Sequence, residues 1–181
     1  MSIIKHTEQR VGVFIDAQNL YHTARNLYGR YVHFGHIVED VVAGRKLIRA
    51  IAYVINSEGE GEKNFFEALT KLGIETRVKD LQVFAGGAKK ADWDVGMAVD
   101  AISLAAKLDA VVLVTGDGDF APLVQYLQRA YGVQVEVASF GKSTSSLLRE
   151  VADDIFDLSI DPKRYVLHGS GKPANTKGRR R

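Results

Sequence analysis

The stretch Val111-Val112-Leu113-Val114-Thr115-Gly116-Asp117-Gly118-Asp119-Phe120 decides how the rest of this chain is read. From Val111 to Thr115 it is almost wholly apolar and rich in β-branched side chains, the pattern of a strand buried on both faces of a sheet. Gly116 ends the run, and Asp117 and Asp119 follow with one glycine between them. Phe120-Ala121-Pro122-Leu123 then opens a helix, with Asp119 near the N-cap and Pro122 in the first turn. A buried strand thus delivers two acids to its carboxyl end, where open parallel sheets place their ligands.

Working outward, other strands alternate with helices. Val11-Gly12-Val13-Phe14-Ile15 is a short apolar strand ending at Asp16, followed by a helix over residues 17–28 with Leu20, Ala24 and Leu27 at i, i+4 and i+7. Residues 36–43 read as a short helix, 47–55 as a strand, and Phe65, Leu69 and Leu72 mark a helix stopped by Gly73. Residues 74–84 alternate as a half-exposed strand or hairpin. Residues 91–107 carry a helical stripe of Val95, Val99, Ile102 and Ala106. Val133-Gln134-Val135-Glu136-Val137 alternates cleanly and predicts a strand near a sheet edge. Residues 143–151 read as a helix and 155–158 as a last extended piece. The alternation predicts an α/β three-layer domain with a parallel central sheet, spanning residues 1–167.

Composition agrees with one soluble domain: 181 residues, 46% hydrophobic and 25% charged. No run nears the roughly 18 apolar residues of a membrane span, and Lys5, His6, Glu8 and Arg10 interrupt any signal-like N-terminus. The absence of cysteine excludes disulfides, thiolate metal sites and a cysteine nucleophile. The expected compartment is the cytoplasm. The net charge of +2 is misleading, because Lys172, Lys177, Arg179, Arg180 and Arg181 all lie in residues 168–181, a polar segment read as a disordered basic tail. Without them the body of the chain is acidic.

Four acids stand at element ends. Asp16 closes the first strand, with Asn19 one helical turn on; Asp94 opens the long helix; Asp117 and Asp119 follow the central strand. A doubly wound sheet brings the first and fourth strand ends to one rim. Carboxylates about 4 Å apart repel by roughly 4 kcal/mol at an effective dielectric of 20, so a converging set needs shared protons or a cation. A hard ion such as Mg²⁺, which takes carboxylates, waters and a substrate phosphate, meets that need. Taken singly, Asp119 reads as a cap, Asp94 as a first-turn acid and Asp117 as a turn residue. Asp100 points roughly 120° from Asp94 on an ideal helix, and Trp93, Tyr21 and His22 are candidates to stack bases at the rim.

Two motifs fail on inspection. Gly141-Lys142-Ser143-Thr144 looks like the end of a phosphate-binding loop, but Glu136 stands where the first glycine belongs. A helix start there, with Ser143, still offers one phosphate contact or a plain cap. Asp117-Gly118-Asp119 fails as a calcium loop, with Ala121 and Gln128 at ligand positions.

With these residues in view, Phe14-Ile15-Asp16-Ala17-Gln18-Asn19-Leu20 resembles the first motif of NYN domains, the LabA-like branch of the PIN-like nucleases. The segment from Asp92-Trp93-Asp94 to Asp100-Ala101 resembles the second, and Val114 through Leu123 the third. The resemblance covers roughly residues 9 to 160. It implies a Rossmann-like, PIN-like sheet whose acidic rim binds Mg²⁺ or Mn²⁺ and hydrolyses RNA to 5′-phosphate and 3′-hydroxyl ends. Carried over by position, Asp16, Asp94, Asp117 and Asp119 are the metal-binding and catalytic acids, and Asn19 orients Asp16 or the substrate phosphate. The Lys-Gly-Val usual before the helix acid is Ala91-Asp92-Trp93 here, which passes the basic phosphate contact to Lys90. The expected activity is that of a metal-dependent endoribonuclease. The alternative is a non-catalytic RNA- or protein-binding regulator that kept the fold. An aspartyl phosphatase is disfavoured, since Gln18 stands where its second acid belongs. A homodimer through residues 28–32 stays open.

Overall fold

The computed structural model describes residues 3–56, 62–80, 82–83, 89–90 and 92–167. The basic tail, residues 168–181, lies outside them. Six strands form one sheet: β1 (Arg10–Asp16), β2 (Lys46–Asn56), β3 (Glu75–Asp80), β6 (Ala110–Val114), β7 (Gln134–Ser139) and β8 (Asp154–Asp157). Their order is β3-β2-β1-β6-β7-β8, and every neighbouring pair is parallel. A small antiparallel ribbon, β4 (Gln82–Val83) with β5 (Lys89–Lys90), stands apart. The segment expected to be a strand or a hairpin is thus both in turn, an edge strand and then the first arm of the ribbon.

The strand order reverses between β1 and β6, which makes their carboxyl ends the switch point of the sheet. Helices α1 (Ala17–Tyr28), α2 (Phe34–Val42), α3 (Glu62–Lys71) and α7 (Pro162–Tyr165) accompany one face. Helices α4 (Asp94–Ala105), α5 (Ala121–Tyr131) and α6 (Ser146–Val151) cover the other. The period of two along each strand divides the core accordingly. Val11, Val13 and Ile15 of β1 and Val112 and Val114 of β6 face the first layer, while Phe14, Val111 and Leu113 face the second. All five residues of β6 are buried, and each of its Val and Leu side chains contributes roughly 1.5–3 kcal/mol by leaving water.

Two expectations are corrected. β7 is an interior strand, paired on both sides by β6 and β8. Its polar alternation comes from Glu136, which is 2% exposed and held by the Arg45 guanidinium at 2.5 and 3.1 Å and by Lys5 Nζ at 2.9 Å. An alternating pattern here marks a buried ion pair, not a solvated face. In α4 the stripe of Val95 and Val99 faces outward, 74% and 55% exposed, and Ala106 is exposed too. The helix buries Met97, Ala101 and Ala105 instead. Phe14 and Tyr53 rise from the sheet into this layer, so the helix opposite them presents mostly alanine. Among the described residues no helix is long and apolar enough to cross a membrane.

Candidate metal centre

The rim is built where β1 and β6 end side by side. Asp16, the last residue of β1, caps α1 by accepting the Asn19 backbone N–H on Oδ1 at 3.0 Å. Its Oδ2 accepts the Thr115 hydroxyl at 3.2 Å. Thr115 is fully buried and its Oγ1 in turn accepts the Asp117 backbone N–H at 3.2 Å. Asn19 Oδ1 accepts the Gly116 N–H at 3.0 Å. These bonds lace the first helix to the loop after β6, so the two strand ends hold each other's acids in place.

That loop has no room for a side chain at Gly116, where a Cβ would lie 2.6 Å from the Ser143 carbonyl oxygen. The close approach lets the Ser145 N–H reach the Gly116 carbonyl at 2.9 Å. The chain then turns through a short 3₁₀ segment, Gly118–Phe120, capped by Asp117, whose Oδ1 accepts the Asp119 N–H at 3.0 Å. The capping role expected of Asp119 therefore belongs to Asp117, and the exposed Asp119 carboxylate is left for the rim. Asp94 arrives from the opposite layer as the first residue of α4.

Asp94, Asp117 and Asp119 each offer a carboxylate oxygen, and these atoms lie within 4.8 Å of one another. Asp16 is outside this trio but borders the same cleft, and both its oxygens accept hydrogen bonds. At such separations, and at an effective dielectric of 20, each pair repels by roughly 3 kcal/mol. Burial, with the charges of Asp16, Asp117, Asp92 and Asp119, pushes the Asp94 carboxyl above the usual carboxylate range. Burial also raises Asp16, against its bonds from Asn19 and Thr115. Among the described residues no lysine or arginine pairs with the trio. Three hard oxygen donors, crowded and without a cationic side chain, fit a divalent ion of the Mg²⁺ or Mn²⁺ kind. Zinc, which favours histidine and cysteine, finds neither in the trio.

The cleft in front of these acids has a volume of about 310 Å³. Asp16, Asp92, Asp94 and Asp117 line it together with Trp93, Ile55 and Gln18, Asn19, His22, Thr23 and Asn26 of α1. Trp93 is anchored at the cleft: Lys79 Nζ lies 4.5 Å from its ring centroid, its Nε1 donates to the Val54 carbonyl at 2.9 Å, and it packs against Gly96. Asp100 turns to the sheet, accepting the Tyr53 hydroxyl at 2.9 Å beside Arg77. Ser143 lies in a 3₁₀ turn with its hydroxyl donated to the Phe140 carbonyl at 2.8 Å, and Ser145 rather than Ser143 caps α6. The Lys90 side chain lies outside the described residues.

Thr115, and Gln18, Thr23 and Asn26 of the polar stripe on α1, escaped the sequence reading as site residues. A hydroxyl closing an aliphatic strand was the available signal for the first. The stripe, at i, i+1, i+4, i+5 and i+8, reads from sequence as an ordinary solvated face.

Comparison with known proteins bears on this architecture directly. The sequence model of the NYN domain matches residues 10–159. The low amplitude and bright protein LabA of Synechococcus elongatus is 26% identical, over 83% of this chain and 84% of its own length. A crystal structure of a protein of unknown function from Vibrio parahaemolyticus superposes with a TM-score of 0.81 at 31% identity, covering 91% of this chain and 100% of that one. The chain belongs to the NYN domain family.

Proposed function

We propose that this protein is a metal-dependent ribonuclease that hydrolyses RNA phosphodiester bonds at the acidic rim. The observation that carries the reading is the trio Asp94, Asp117 and Asp119, whose oxygens converge at the sheet's switch point without a cationic side chain among the described residues. These three would hold one Mg²⁺ or Mn²⁺ ion. When bound, the ion supplies Lewis-acid polarisation of a phosphoryl oxygen and lowers the pKa of a water. Asp16 completes the negative rim. Asn19 and Thr115 keep it in register with the loop that bears Asp117. The rim itself repels a phosphodiester, so the substrate's backbone is accepted only where its charge is neutralised.

The test is incubation of labelled RNA with the purified protein and Mg²⁺ or Mn²⁺, beside Asp94→Asn and Asp117→Asn variants. Cleavage that needs the metal and falls at least a hundredfold in both variants supports the proposal. Undiminished cleavage in both would place the chemistry elsewhere. RNA binding with no turnover in any metal would favour a regulator.

A further inference from the structure

We infer that the outer face of α1 and Tyr31 form a second nucleic-acid surface, on which the strand leaving the cleft stacks its bases. The inference rests on the ribonuclease reading but concerns residues that the rim does not use. Tyr21 and Tyr31 are large rings left 39% and 54% exposed. Their centroids are 5.9 Å apart, tilted by 37°, and the Tyr21 ring meets His22 edge-on at 5.4 Å. His22 belongs to both places: it lines the cleft, where its Nε2 lies 2.8 Å from Gln18 Nε2, and it abuts the aromatic pair outside. The aromatic surface is therefore continuous with the acidic cleft.

Unlike the acidic trio, the patch carries a cation. The Arg25 guanidinium lies over the Tyr31 ring, 5.2 Å from the centroid. The main chain also returns here, Leu167 N–H donating to the Tyr31 carbonyl at 2.8 Å. Exposed rings with an adjacent cation match a single strand, whose bases offer π-faces and whose phosphates seek positive charge. A second protein copy would have to bury the Arg25 guanidinium, which among the described residues has no carboxylate partner. A duplex keeps its bases stacked internally and offers no free faces to Tyr21 and Tyr31.

The experiment measures affinity of a labelled 12-nucleotide single-stranded RNA for the full chain in EDTA and in Mg²⁺, with KM wherever cleavage runs. Wild type is compared with Tyr21→Ala, Tyr31→Ala and Tyr31→Phe, each checked for an unchanged melting temperature. We expect roughly tenfold weaker binding or higher KM for each alanine variant, with kcat unchanged, and values within about twofold of wild type for Tyr31→Phe. Alanine variants that bind and cleave like wild type would overturn the inference and leave the ribonuclease reading standing. Binding that depends on the tyrosines without metal-dependent turnover would uphold the inference and sink the ribonuclease reading. Alanine variants that only dissociate a dimer, with RNA affinity unchanged, would make the patch a contact between copies and overturn the inference. No RNA binding and no cleavage by wild type would overturn both.

Discussion

Thr115 Oγ1 donates to Asp16 Oδ2 at 3.2 Å and accepts the Asp117 N–H at the same distance, so one buried hydroxyl joins acids that are 101 residues apart in sequence. Thr115→Val keeps the shape and removes the bond. Asp16 and the Asp117 amide then lose a partner, which costs about 1–3 kcal/mol of stability. RNA cleavage should fall with it, because the loop bearing Asp117 loses its tie to β1. Thr115→Ser should retain most of both. Urea denaturation and initial cleavage rates read the two effects separately.

Arg45 and Glu136 form a buried ion pair. Removing one partner leaves a charge without its complement, so Arg45→Met should destabilise by about 3–5 kcal/mol, less whatever Lys5 recovers. Replacing both, as Arg45→Met with Glu136→Leu, should restore most of the loss. Equal destabilisation by single and double variants in chemical denaturation would mean that packing, not charge, sets the cost.

His33 gives the fold a pH dependence of known sign. Its Nδ1 accepts the His36 N–H at 3.1 Å, capping α2, and the two imidazoles stack at 3.6 Å. Burial, then the charges of His36 and Arg164, push His33 below the ordinary histidine value, partly opposed by Glu39. The unfolded chain therefore binds a proton more readily, and this contribution to stability is lost as pH falls through the unfolded value near 6.5 toward the lowered folded one. His33→Asn keeps a capping side chain but cannot titrate. Between pH 7.5 and about 5, wild type should lose more stability than the variant in parallel melts.

The two faces of α4 should respond oppositely to substitution. Val99→Thr, on the exposed face, should change stability by less than about 0.5 kcal/mol. Ala101→Leu, against Tyr53 and Phe14, should overpack the layer and cost about 1–3 kcal/mol. A guanidinium titration distinguishes them.

The features legible in sequence are those with local causes. An aliphatic strand, a glycine and two spaced acids announce a parallel strand's carboxyl end, and Asp16 and Asp94 stand at element ends that any doubly wound sheet must bring near them. What was misread depends on partners far away in the chain. Glu136 looks solvent-facing because Arg45 is 91 residues distant. Val95 and Val99 look like a core stripe because the sequence does not reveal that Phe14 and Tyr53 fill that layer. Asp119 looks like a cap because only the 3₁₀ turn shows Asp117 in that role.

The central claim is that Asp94, Asp117 and Asp119 together hold a divalent ion, and a melting-temperature titration with Mn²⁺ and Mg²⁺ addresses it directly. A ligand bound to the folded state alone stabilises by about 2.7 kcal/mol at a hundred times its dissociation constant. Wild type should melt at progressively higher temperature as the metal rises into the millimolar range, and Asp94→Asn and Asp117→Asn should lose most of that rise while remaining folded. A wild-type melting temperature indifferent to millimolar Mn²⁺, or a rise preserved in both variants, would contradict the account.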